Sequence, residues 1–297
     1  MPRALILVAL FATSASGTSA ATLRARTLPG GTKAPAAVIV GRAQCGQRTW
    51  LLTDTSELVE VSPDGVTVHP VRGLAGGDDP WGLACVTSGA LWTIAAPRAL
   101  ARLGPDGRVL ERVALRLPRV ALFGVGDALL FEQLPTVPGA PVLTTSPPAR
   151  PLETRSWIGL VSRRGASREE ELMRSFVNCG LGRGGLVPCW FADEPRITLS
   201  DGADARSLTI SFPPSVDSHY PIWDVALAGP DRAWVLLAAL DAATGRRAGG
   251  RLSVVDDRGA EQEHLDLRPA ARLILSATPA RCLLLNVDGN LTEVSRP

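Results

Sequence analysis

Short apolar runs alternate with turn residues along most of the chain. In Trp81–Ala114 the runs fall at Gly82–Val86, Ala90–Ala95, Ala99–Leu103 and Val109–Ala114. Each is too short for a helix and is bounded by turn residues, which is the pattern of strands. Gly104-Pro105-Asp106-Gly107 separates the last two: Pro presets φ and Gly accepts φ > 0, so a tight hairpin is predicted. Four antiparallel strands joined by short turns make one β-propeller blade.

The rest of the chain reads as variations on this unit. Trp50 precedes Asp64 by 14 positions (64 − 50), and Trp92 precedes Asp106 by the same 14 (106 − 92). Trp81–Trp92 aligns without gaps to Trp223–Trp234, an offset of 142 (223 − 81). Three blades of roughly 47 residues give that offset, within the range for four-stranded blades. The first unit is predicted at Ala36–Val40, Thr49–Thr53, Glu57–Ser62 and Val66–Val71.

The third unit begins Arg119–Phe123 and Asp127–Gln133. It then becomes irregular through the proline-rich Thr136–Pro151 and the insertion at 146–178, with Trp157–Val161 resuming the sheet. Ser167 with Glu170 fits a capping box and predicts a short helix over Arg168–Val177; the alternative is the first strand of the fourth blade. The fourth blade is read at Leu186–Ala192, Arg196–Leu199 and Ser207–Phe212. The fifth is read at Ile222–Ala226, Ala233–Leu240, Arg251–Asp256 and Gln262–Leu267. The sixth shows three strands, Leu273–Ser276, Cys282–Asn286 and Leu291–Ser295. Thr22–Leu28 alternates as a half-buried strand and supplies the missing fourth, which removes a free edge. The expectation is an all-β, six-bladed propeller of four-stranded antiparallel blades over residues 22–297, closed by its N-terminal strand.

Pro80-Trp81-Gly82-Leu83-Ala84, Gly89-Ala90-Leu91-Trp92-Thr93 and Leu103-Gly104-Pro105-Asp106-Gly107 together resemble the repeat of NHL-type and streptogramin-lyase-type propellers. The resemblance covers the second blade well and the fifth in part, and it implies the fold. It carries over no catalytic set. After Trp92 this chain has Thr93, Ile94 and Ala95 where the lyase family often has an acid. Asp224 has no matching Glu and Asn for the metal site of gluconolactonase-like propellers.

Met1–Ala21 has a basic Arg3, an apolar stretch Ala4–Ala12 and small residues before Ala20 and Ala21, the pattern of a secretory signal peptide. The apolar stretch is too short to span a bilayer, and no later run is long enough. Export to the periplasm or the extracellular space is therefore expected. A net charge of +2 argues against a nucleic-acid footprint.

The candidate chemistry is sparse. Asp217, His219 and Asp224 cluster where the chain enters the fifth blade, and Asp78, Asp79 and Trp81 occupy the corresponding place in the second. Together they are the candidates for a ligand site at one channel mouth; ordinary turn capping by Asp is the competing reading. Glu132, Asp193 and Glu194 end strands at the rim. A calcium or other divalent ion in the channel normally needs three or more ligands, and with only Asp217, His219 and Asp224 to hold it ordinary loop chemistry is the favoured reading, so no cofactor is expected. Trp50, Trp92, Trp190 and Trp234 recur on second strands, which argues for packing between blades. Asn290-Leu291-Thr292 fits a glycosylation acceptor in a strand turn.

Five cysteines leave at least one unpaired. Cys179 and Cys189 flank a loop containing Gly180, Gly182, Gly184, Gly185 and Pro188, so a chain reversal brings them together. Cys45 and Cys85 fall just after the first strands of adjacent blades and are expected to pair, which leaves Cys282 as a packed free thiol. The alternative, Cys45–Cys282, would leave Cys85 free. The functional expectation is a non-catalytic scaffold that binds a protein, peptide or glycan; the rival is a divergent propeller hydrolase or lyase acting at the channel mouth.

Overall fold

A computed structural model describes residues 23–28, 37–62, 65–114, 121–125, 128–132, 153–156, 178–190, 195–200, 205–210, 222–240, 247–268 and 270–297. The first strand, β1, is Arg24–Thr27. One blade holds β2 (Ile39–Cys45), β3 (Arg48–Thr53), β4 (Glu57–Ser62) and β5 (Gly65–Pro70), paired in that order. The next holds β6 (Trp81–Cys85), β7 (Leu91–Ala96), β8 (Ala99–Leu103) and β9 (Val109–Ala114). A smaller sheet contains β10 (Ala121–Val125), β11 (Ala128–Glu132) and β12 (Glu153–Ser156). Two further blades follow. One is β13 (Asn178–Cys179), β14 (Val187–Trp190), β15 (Arg196–Ser200) and β16 (Ala205–Thr209); the other is β17 (Ile222–Gly229), β18 (Arg232–Leu240), β19 (Arg247–Asp256) and β20 (Glu261–Leu267). The closing blade is β21 (Ala271–Ala277), β22 (Arg281–Asn286) and β23 (Leu291–Ser295), with β1 on its edge.

The chain is thus a propeller of four-stranded antiparallel blades, but with five such blades among the described residues, not the expected six. In chain order the sixth place is taken by the three-stranded sheet. Its third strand, β12, runs parallel to β11, with Ala128 opposite Glu153 and Phe131 opposite Ser156. The connection between Glu132 and Glu153 is long, which permits parallel pairing. The expected helix over 168–177 and the strand over 157–161 lie outside the described residues.

The expected closure is present. β1 pairs antiparallel with β23, from Arg24 opposite Ser295 to Thr27 opposite Thr292, and Leu23 is buried beside it. The first strand of the β2–β5 blade lies later than expected, at Ile39–Cys45 instead of Ala36–Val40, because polar Arg42 and Gln44 belong to it.

The core lies between blades. Ala43, Trp50 and Leu52 pack against Leu83, Leu91 and Ala101 of the next blade. Trp92 and Ile94 pack against Leu122 and Leu129 of the small sheet. Trp190 and Ile197 meet Ile222 and Val225, and Trp234 and Leu236 meet Ile274 and Leu284. Leu51 and Val59 meet Leu275 and Leu285, completing the contact between the closing and β2–β5 blades. The four tryptophans therefore pack as expected, each on the seam with the following sheet, where a large ring buries about 150–250 Å². Trp190 and Trp234 also donate their indole N–H to Ile222 O (3.0 Å) and Thr278 O (2.9 Å) across those seams.

Inner strands of neighbouring blades approach backbone to backbone. A Cβ on Gly41 would sit 2.6 Å from the carbonyl carbon of Gly82, so glycine is required there. Leu181 N donates to Val225 O (3.0 Å) and Leu227 N to Leu181 O (2.9 Å), joining two blades by main-chain bonds. This tight inner ring is the frame on which the channel groups are set.

Candidate channel-mouth site

Each of four inner strands carries a bulge near its start: between Ile39 and Gly41, Trp81 and Leu83, Ile222 and Asp224, and Ala271 and Leu273. A bulge inserts one residue and re-aims its neighbours. Beside one of them lies Asp224, buried to 1% exposure. Arg42 of β2 grips its carboxylate with both terminal guanidinium nitrogens. Asp224 Oδ2 also accepts from Ile274 N (2.7 Å) and Oδ1 from Val225 N (2.8 Å). Arg42 in turn donates to Ile274 O at 2.5 Å. One buried ion pair thus joins three blades, reaching from β2 to β17 across β21 of the closing blade. A buried charge is tolerated only when paired and hydrogen-bonded, and here the carboxylate is saturated. All four of these bonds to the Asp224 carboxylate are made inside the fold.

Asp78 is also engaged. Arg112 on β9 holds its carboxylate through two donors, and Asp78 Oδ2 accepts from Ala75 N at 2.9 Å. The hydrogen bond from Arg112 is the main cause that holds the Asp78 carboxyl below its ordinary value, opposed by burial and helped by Ala75 N. Asp79 is exposed, and its N–H donates to Ala95 O (3.1 Å). Trp81 is half-buried at the start of β6, against the seam that contains Trp92. Asp217 and His219 lie outside the described residues, as do Asp193 and Glu194. Among the described residues no three His, Cys, Asp or Glu side chains gather in a metal-holding group.

Sequence reasoning overlooked Arg42, Arg112, Arg183 and Trp223. Arg183 reaches from the β13–β14 loop to Ala277 O (2.9 Å), at the far end of β21. Trp223 sits on the bulge of β17, remains 46% exposed, and donates its indole N–H to Arg272 O (2.8 Å) on the next inner strand. Val287, 58% exposed, is held by its N–H to Ala270 O (3.1 Å), two residues from Arg272. Val38, 52% exposed, precedes Ile39, which packs with Leu273 and Leu285 of the same closing blade. Trp223, Val287 and Val38 therefore mark one sector of the channel face, from β17 through the closing blade to β2. An arginine alone in an apolar inner strand was the available signal for Arg42. The second tryptophan of the Trp223–Trp234 repeat drew attention to packing and away from Trp223.

Two disulfides are present, Cys45–Cys85 and Cys179–Cys189. The first joins the last residues of the adjacent inner strands β2 and β6, with Cα atoms 5.7 Å apart. The second joins directly opposed residues of β13 and β14. Cys282 is free and buried on β22. Burial, with the negative charge of Asp224 adding to it and Arg42 opposing, pushes its thiol well above the usual range.

The fold and inner ring define the class of protein as a β-propeller. No protein-family profile matches the chain. No curated protein matches it in sequence. Among solved structures it is similar to virginiamycin B lyase from Staphylococcus aureus, at 11% identity over 93% of this chain and 99% of that one, with a TM-score of 0.47. It is also similar to YCF48 from Cyanidioschyzon merolae (13% identity, 93% and 99% coverage, TM-score 0.47). A third is the WD40 propeller domain of Doa1 (10% identity, 91% and 97% coverage, TM-score 0.46). No described helix is long and apolar enough to cross a membrane.

Proposed function

We propose that this chain is an exported, non-catalytic binding scaffold that offers one face of its propeller to a protein, peptide or glycan. The observation that carries the reading is the use made of the acids. Asp224 is saturated by Arg42 and two backbone donors, and Asp78 is held by Arg112 and Ala75 N. Carboxylates committed to internal bonds are poor general acids or bases and poor metal ligands, because a base or ligand needs a free lone pair, and an acid a free O–H, directed at the reactant. The same face instead presents Trp223, whose ring is fixed by its bond to Arg272 O. A preset aromatic surface suits recognition, since little side-chain freedom is lost on contact. Export rests on the signal-peptide pattern of 1–21, and two disulfides suit an oxidising compartment. The reading needs no cofactor.

The test is binding of the purified protein to peptide and glycan arrays, compared with Trp223→Ala. Binding that Trp223→Ala abolishes at a temperature where circular dichroism shows the variant still fully folded supports the scaffold. Turnover of lactones or cyclic depsipeptides, lost in His219→Ala, would establish the divergent hydrolase or lyase and overturn it.

A further inference from the structure

The outermost strands of a propeller expose unpaired N–H and C=O groups, and natural sheets protect such edges with charge. The described sheets of this chain follow that rule with one exception. β9 carries Glu111 and Arg112, β12 carries Glu153 and Arg155, and β16 carries Arg206. β20 carries Glu261, Glu263 and Asp266, and β1 carries Arg24 and Arg26. β5 reads Gly-Val-Thr-Val-His-Pro and has no Lys, Arg, Asp or Glu. It is the edge of its sheet, Thr67 is exposed, and Val68 is 45% exposed.

Only one end of β5 is covered by the neighbouring blade among the described contacts. Arg72 N donates to Gly107 O (3.0 Å) and Val109 N to Arg72 O (2.8 Å), just beyond the strand. A Cβ on Gly107 would lie 2.6 Å from Pro70 O, so that turn is seated against the end of β5. Pro70 lacks an N–H and blunts the same end. Gly65–Val68 is the stretch that both devices leave.

We propose that β5 is a self-association edge, and that its occupant is β5 of a second copy, paired antiparallel about a twofold axis through Thr67. That register sets Thr67 opposite Thr67 and Val66 opposite Val68. Thr–Thr and β-branched cross-strand pairs are favourable, whereas like charges directly opposed are destabilising. Self-pairing of β1 would oppose Arg to Arg or to its neighbour, and self-pairing of β20 would crowd Glu261 and Glu263; β5 alone meets itself without charge. The twofold makes the contact closed, so the product is a dimer and not a fibre. This inference is independent of what the channel face binds.

Sedimentation velocity over a concentration series tests it. The wild type should pass from monomer to dimer, Thr67→Lys should weaken association at least tenfold, and Leu110→Lys on exposed β9 should leave it unchanged. Under mild oxidation Thr67→Cys should yield a reducible dimer and Arg26→Cys should not. A wild type that stays monomeric throughout overturns the proposal. So does a Thr67→Lys protein that dimerises as the wild type does, or a Thr67→Cys yield no greater than that of Arg26→Cys. A monomer that pairs β5 with a strand of a different protein likewise overturns it.

Discussion

Replacing Asp224 by Ala removes the carboxylate that joins β2, β17 and β21. The loss is more than one bond. Arg42, only 12% exposed at its side chain, keeps its charge without a counter-charge, and Ile274 N and Val225 N lose the carboxylate as acceptor. Breaking a buried pair from one side costs about 3–5 kcal/mol, chiefly because the remaining charge is stranded. Arg42→Met strands Asp224 in the same way and falls in the same range, although the two backbone donors still meet the carboxylate. In the double variant Arg42→Met/Asp224→Leu no buried charge remains, so its cost should fall short of the sum of the single changes by at least about 2 kcal/mol. Urea unfolding followed by tryptophan fluorescence reads these values from the midpoints and slopes. If Asp224→Ala costs less than about 1 kcal/mol, or the two single changes add, the pair is not a clamp. A carboxylate held ready for a ligand would be expected to behave in that way.

Other consequences can be measured independently. The Asp78 carboxyl is held below its unfolded value, so its contribution is present above about pH 3.9 and is lost as pH falls through the lower folded value. The difference in melting temperature between wild type and Asp78→Asn should accordingly shrink as pH drops below about 4. Thiol titration without reductant should find Cys282 unreactive in the native protein and a single reactive thiol after denaturation; two or more would break the disulfide assignment. Replacing both Cys45 and Cys85 by Ala should cost about 4 kcal/mol on the chain-entropy account, against about 3 for Cys179 and Cys189, because the first bridge closes 40 residues and the second 10. Deleting Arg24–Thr27 should lower the melting temperature and promote aggregation by opening the edge of β23, which static light scattering would detect.

The blades were legible where the information is local. Period-two runs and hairpin turns mark β6 to β9 in the sequence, and the 142-residue offset is meaningful because Trp92 and Trp234 both face the following sheet. Legibility ended where pairing is distant. β12 joins β11 in parallel across a proline-rich connection, and nothing in the alternation of either strand specifies direction. Arg42 and Gln44 fell outside the expected strand Ala36–Val40 because their partners are remote: Asp224 is 182 positions away, and Ala277, whose N–H reaches Gln44 Oε1, is 233 away. For the same reason the sequence around Asp224 held no sign of Arg42, and Asp224 stood among the channel-mouth candidates. A charge in an apolar strand is either paired or functional, and the sequence around it does not contain the partner.

Closing a propeller sets two ends of one chain side by side, and the cost of doing so explains where the polar bonds lie. Arg26 and Glu293 are 267 positions apart, and loop closure on that scale costs about 5 kcal/mol beyond a constant. β1 returns four residue pairs with β23 and the burial of Leu23. Ladder bonds at about 1 kcal/mol net each, with about 2 kcal/mol for the leucine, amount to about the same. Strand pairing alone therefore leaves the ring near balance, and further bonds from both sides of the closing blade decide that it stays shut. From the β2–β5 blade come Arg42 to Ile274 O and Thr49 Oγ1 to Leu275 O (2.9 Å). From the β17–β20 blade come Asp224 to Ile274 N, Trp223 to Arg272 O and Trp234 to Thr278 O. Arg183 adds its bond to Ala277 O. The polar side chains of the inner ring thus converge on β21 and the turn after it. That is the region where a closed ring needs them, and it is why the Arg42–Asp224 pair lies beside the channel.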